Sequence, residues 1–194
     1  MNRSLLDSEV ADLLSAGDVS AATTLTLRAY GAELLGFLRG TLRPPHDPED
    51  AFSVLSATVW RSLPSFEWRC SLRTWLYVLA RRTVVRFVRG ARRVELPLSQ
   101  VSEISRLVAE IRATSLPTIA PIRDRFTELR AQLDPDDQML LVLRVDREMP
   151  WRDIAEVLAD EGADVDRLAA SLRKRFERVK VRIRSLARDA GLAD

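Results

Sequence analysis

The stretch SLRTWLYVLARRTVVRFVRG, residues 71–90, decides the fold. Ser71 stands where a helix N-cap stands, and Gly90 is the kind of residue that closes a helix. Between them Trp75, Leu76, Leu79 and Val84 are expected on a buried side. The opposite side displays Arg. Working upstream, Pro64 ends the preceding element, and Ser65-Phe-Glu-Trp-Arg-Cys70 reads as a loop. Asp47-Pro48 is an N-cap followed by proline at the first helical position, which predicts a helix over 48–62. Its apolar residues, Phe52, Leu55, Val59 and the neighbouring Trp60, recur every three or four positions. Before it lie a proline-rich connector, Arg43-Pro-Pro-His-Asp-Pro48, a helix over 19–38 stopped by Gly40, and a weaker helix over 4–15.

Downstream, residues 91–118 contain Pro97 and Pro117 and turn acidic. A short amphipathic helix near 101–113 (Val101, Ile104, Leu107, Val108, Ile111) is expected inside what reads as an interdomain linker. A second helical module follows. Helices are expected over 121–132, from Asp134-Pro135 to about Arg147, from Pro150-Trp151 to about Ala159, and from an Asp164 cap to Ala190 before Gly191. Strand signals are scarce. The fold class expected is all-α, with two small helical domains at 1–93 and 119–194 joined by a linker over 94–118.

The charge map follows this division. The chain has 194 residues, 30 Lys+Arg and 28 Asp+Glu, for a net charge of +2. Residues 61–93 carry nine Arg and one acid, and residues 164–189 carry nine bases and four acids. The segments between are acidic. Two separate Arg-rich blocks suit a polyanion, since the planar guanidinium fork matches phosphates and guanine edges.

Other classes are poorly served. One Cys excludes an internal disulfide, and one His, His46 in the proline-rich connector, leaves little for triad chemistry or a His-based metal site. No catalytic residue, metal or cofactor is expected, so an enzyme is the least favoured class. No run of 18 apolar residues occurs and the N-terminus lacks a signal-peptide core, so a cytoplasmic location is expected. A lone Cys70 fits a reducing compartment.

Two arrangements carry chemistry. In the second module, Ile154, Ala155, Val157 and Leu158, then a Gly-containing connection, then Leu168, Leu172, Phe176, Val179 and Ile183, read as a helix-turn-helix. Arg173, Lys174, Arg175, Arg178 and Lys180 lie beside that apolar stripe. In the first module, Phe66 and Trp68 lie in the loop before the Arg-rich helix. Rings beside cations suit unpaired bases, which stack while the backbone is held by charge.

With these residues in view, 47–93 resembles domain two of bacterial sigma factors of the extracytoplasmic-function group, a branch of the sigma-seventy family. The most specific part is Ser71-Leu-Arg-Thr-Trp-Leu-Tyr-x-x-Ala-Arg81. Residues 133–186 resemble domain four, through Leu133-Asp-Pro-Asp-Asp-Gln138, Pro150-Trp-Arg-Asp-Ile-Ala-Glu-Val-Leu158 and Leu172-Arg-Lys-Arg-Phe-Glu-Arg-Val-Lys180. The resemblance implies a transcription initiation factor whose partners are core RNA polymerase, promoter DNA and an anti-sigma factor. Carried over, Phe66, Trp68, Arg69 and Ser71 would hold a flipped base of the −10 element, with Arg73, Arg81, Arg82 and Arg86 along the strand or adjacent duplex. Arg173, Lys174, Arg175 and Arg178 would face the −35 duplex. Asp50, Ser53, Val54 and Ala57 would meet polymerase. The sequence departs from the family at Ser53-Val54-Leu55-Ser56, where Gln-Glu-Thr-Phe is usual, and at Arg82 and Arg86, where Asn and Asp are more common. A stand-alone helix-turn-helix regulator that does not engage polymerase is the alternative, and a helical interaction protein without nucleic-acid function is a third class.

Overall fold

The structure is a computed structural model that describes residues 3–90, 98–114 and 128–192. The described residues form helices and turns with no strand, as the all-α reading expects. The chain divides into two compact units, Met1–Leu116 and Pro117–Asp194.

The first unit holds α1 (Arg3–Ser15), α2 (Val19–Thr41), α3 (Pro48–Ser62), α4 (Leu72–Val88) and α5 (Leu98–Thr114), with a 3₁₀ turn at Leu63–Ser65. Caps set the starts. Asp18 Oδ1 accepts from the Ala21 amide at 2.9 Å, Asp47 Oδ1 from Glu49 at 2.8 Å, and Ser71 Oγ from Thr74 at 3.1 Å. α2 packs on α1, α3, α4 and α5 and so forms the hub. It buries Leu27, Leu34, Leu35, Phe37 and Leu38, and it runs past Gly40, the expected stop, to end at Thr41. Phe52, Leu55 and Val59 of α3 are fully buried against it, whereas Trp60 is only partly covered.

The segment expected to be a linker is different. Its helix exists, but α5 packs on α2 and α3 and belongs to the first unit, which extends past residue 93 to Leu116. Leu107, Val108 and Ile111 are buried. The side chains of Val101 and Ile104 lie outside the described set. Three apolar side chains on one helical stripe need a counter-surface, and α2 supplies one at Gly31. A Cβ at that position would stand only 2.6 Å from Ile111 Cδ1, so the missing side chain is the notch into which Ile111 fits.

In the second unit, residues 128–131 are helical, and the rest of the helix expected over 121–132 lies outside the described residues. α6 (Pro135–Leu141) begins where Asp134-Pro135 predicts. It then widens into a π-helical turn at Val142–Asp146, closed by the Arg147 amide donating to Val142 O at 3.1 Å. α7 (Trp151–Leu158) and α8 (Val165–Asp189) pack as a helical hairpin. Ile154, Ala155 and Val157 are buried, with Ala169, Leu172, Phe176 and Val179 from α8. Trp151 meets Phe176 edge-on at 5.5 Å. Leu158, Leu168 and Ile183, expected in the core, are half-buried at its edges.

Candidate nucleic-acid interface

The loop ahead of α4 carries a three-ring stack. Trp68 lies 4.7 Å from Phe66, and Phe66 lies 4.8 Å from Trp75 at an interplanar angle of 28°. Phe66 and Trp75 are half-buried and Trp68 is exposed. Trp75 is therefore not the core residue expected from the sequence. At about 100° per residue, it falls well off the Leu72–Leu76–Leu79–Thr83 stripe and on the same face as Arg82, Arg86 and Arg89. All three of these arginines are exposed. A ring surface thus runs into a cationic face on one side of α4, which is the combination that binds single strands: rings for bases, charge for phosphates. Arg89 was not singled out by the sequence; its spacing of three from Arg86 was the available signal.

Trp68 has φ 56°, a left-handed conformation that is unfavourable for a residue with a bulky side chain. The loop holds its outermost ring out at that cost. Arg69 pairs with Glu67 at 2.8 Å, both well exposed, so the pair contributes little to stability. Ser71 is engaged as the cap of α4 and also bonds the Thr74 hydroxyl at 2.8 Å. Arg81 is half-buried and has interactions of its own.

Arg73 is a correction. It was expected along the bound strand, but it is buried, with 7% of its side chain exposed. Its Nε donates to Glu33 Oε1 at 2.8 Å, Nη2 bonds the same oxygen, and the Tyr77 hydroxyl donates to it at 2.9 Å. The guanidinium also lies over the Tyr77 ring, 5.4 Å from its centroid. Burial acts to lower the Arg73 pKa, but the hydrogen bond and charge of Glu33 outweigh it and hold the group above its ordinary value. The pair ties α4 to α2 and cannot reach a ligand outside. Sequence reasoning missed Glu33 because the two residues are far apart in the chain.

Asp7 of α1 reaches the same end of α4, with Oδ2 3.5 Å from the Leu72 amide. Burial raises its pKa, and the Leu72 hydrogen bond only partly offsets that. A folded-state pKa above the unfolded one means that ionised Asp7 opposes folding once pH rises through the folded value. Asp7→Asn is therefore expected to melt at a higher temperature than wild type at pH 7. The gap should close as pH falls through the carboxylate range. A lower melting temperature at pH 7 would show instead that the charge at the α4 N-terminus is the stronger effect.

The α3 candidates are not one open patch. Asp50 is exposed and Val54 half-buried, but Ala57 is only 3% exposed and is withdrawn as a contact. Ser53 Oγ accepts from Arg112 Nη2 of α5 at 3.0 Å.

In the second unit, Asp164 Oδ1 accepts from the Arg167 amide at 3.0 Å and starts α8 at Val165. The connection from α7 turns at Gly162, φ 80°, with the Ala163 amide donating to Asp160 O at 3.1 Å. By helical spacing, Arg167, Lys174 and Arg178 stand opposite the buried Leu172–Phe176–Val179 stripe, and all three are exposed. Arg173 is exposed on the flank. Arg175 is a second correction. It is half-buried, its Nε donates to Asp137 Oδ1, and its Nη1 lies 3.9 Å from Asp136, so it braces α8 against α6. Arg167 was overlooked because the helix start was not evident; the Asp164 cap was its signal.

No group of three or more His, Cys, Asp or Glu among the described residues is placed to hold a metal ion, and no described helix is long and apolar enough to cross a membrane. Residues 26–94 match the family model for Sigma-70 region 2, and this segment is similar to that region. It spans the stack, the α4 cationic face and α3. No curated protein and no solved structure matches the chain.

Proposed function

We propose that this chain is a sigma factor of the extracytoplasmic-function group, which binds core RNA polymerase and directs initiation at particular promoters. The likeness of residues 26–94 to Sigma-70 region 2 supports a role in polymerase binding and promoter recognition. The observation that carries the reading is the Trp68–Phe66–Trp75 stack inside that segment, continued along α4 by Arg82, Arg86 and Arg89. Melted −10 bases stack on the rings while the arginines hold phosphates. No bond chemistry is needed, because opening a promoter requires binding energy for unstacked bases. The second unit reads the −35 duplex with Arg167, Lys174 and Arg178 on the outer face of α8 and Arg173 on its flank. An anti-sigma factor belongs to the same reading.

The test is reconstitution. With core polymerase, the protein should yield promoter-dependent transcripts from templates mapped by transcript sequencing after overexpression. Duplex binding should weaken with salt, and Lys174→Ala and Arg178→Ala should each reduce the log–log salt slope by about one. Unchanged slopes in both variants would move the duplex-reading surface off α8. A stand-alone regulator is the second reading, favoured by the engagement of Ser53 with Arg112. It would footprint duplex DNA yet form no open complex with core enzyme.

A further inference from the structure

We propose that α5 is a latch over the α2–α3 face, and that a partner docking on α3 must lift it. The partner is core RNA polymerase on the reading above, and the proposal rests on that reading.

Two kinds of contact seat α5. The apolar contact is Ile111 in the Gly31 notch, flanked by buried Leu107 and Val108. The polar contact is Arg112, which bonds Ser53 Oγ at 3.0 Å and the Glu49 backbone carbonyl, and places its Nε 3.2 Å from Glu49 Oε2. Ser53 lies on the α3 face that includes Asp50 and Val54, so α5 holds part of the surface where docking is expected.

The arrangement is suited to release. Glu49 also accepts from Arg39 Nε and Nη2 at 2.9 and 2.7 Å. When Arg112 leaves, that carboxylate keeps a charged partner, so no buried charge is orphaned. Ser53 keeps the bond that its hydroxyl donates to the Glu49 carbonyl at 3.1 Å. A further ion pair from the described part of α5, Glu110 with Arg28 at 3.5 Å, is exposed at both ends and contributes little. Among the described side chains, the hold combines the Arg112 contacts with buried Leu107, Val108 and Ile111. A closed latch lowers the apparent affinity for the docking partner by the closed fraction.

The notch offers a lock. An ideal Cβ at position 31 would lie 3.2 and 3.3 Å from Ile111 Cγ2 and Cγ1, the positions a cysteine sulfur would take. A sulfur at either position would stand beside that Cβ, so the G31C/I111C double variant is the cross-link to make. Affinity for core RNA polymerase is measured by anisotropy of labelled full-length protein, with wild type and Arg112→Ala alongside. Oxidised G31C/I111C should bind about tenfold or more weakly than the same protein after reduction, and Arg112→Ala should bind several-fold more tightly than wild type. Circular dichroism verifies that both variants fold, and Arg112→Ala, which leaves the apolar seat intact, tests the latch even if the double variant does not. Equal affinity of the oxidised and reduced forms, or of Arg112→Ala and wild type, would overturn the latch while leaving polymerase binding in place. No binding by wild type, Arg112→Ala or the reduced form would overturn the polymerase reading itself, and the latch with it.

Discussion

Arg73→Ala is expected to lower the unfolding free energy by about 3 kcal/mol, the lower part of the range for removing one partner of a buried ion pair. The lower part applies because the Glu33 side chain retains 24% of its exposure. Without the guanidinium, Glu33 loses a charged partner and keeps the Tyr77 hydroxyl, and the ring of Tyr77 loses the cation above it. Tyr77 also packs edge-on against Phe37 at 5.3 Å, so the loss is transmitted into the α2–α4 contact. Urea unfolding measures it. A second substitution separates a charge effect from a volume effect. Arg73→Met with Glu33→Gln removes both charges, fills the space, and leaves an amide oxygen for Tyr77, so most of the stability should return. A wild-type urea midpoint for Arg73→Ala combined with weaker binding to a single strand would restore Arg73 to the interface.

The second large effect is expected at the other end of the loop. Trp68→Gly should weaken binding to a single-stranded −10 oligonucleotide by about 1–3 kcal/mol, the usual worth of one base–aromatic stack. The fold should not suffer. Trp68 is 37% exposed, and its φ of 56° is one that glycine adopts without strain, so the melting temperature should hold or rise slightly. Binding is read by anisotropy of a labelled oligonucleotide and stability by thermal melting. If Trp68→Gly loses stability and keeps its single-strand affinity, the ring is a packing element and the binding surface lies elsewhere.

These two residues show how unevenly the candidate site could be read in the sequence. Trp68 sits between a proline-ended helix and a capped one, so its loop position and exposure follow from local signals. Arg73 lies two residues into α4, and at about 100° per residue it falls on the far side of the helix from Arg82 and Arg86, with buried Tyr77, Ala80 and Val84, so helical spacing already set it apart. What the spacing could not supply is Glu33, forty residues away, the carboxylate that pairs with it. Trp75 is the converse case. Its distance from the leucine stripe was legible on a helical wheel, but large aromatic character argued for the core, and the stack on Phe66 decided the matter. In the second unit Arg175 flanks the apolar stripe of α8, and Asp137 of α6 engages it there.

What the amino-acid sequence determined by itself is the local part: an all-helical chain, the caps at Asp47, Ser71 and Asp164, the proline-started helices, and the placement of arginine in two blocks. Capping bonds and apolar periodicity act over three or four residues, so they are written where they operate. What only the tertiary structure decided is which arginines remain outside and what α5 does. A guanidinium becomes interior when a carboxylate from a distant helix meets it, and an amphipathic helix becomes part of a domain when a notch such as Gly31 receives it. Both depend on partners that sequence distance hides and packing brings together.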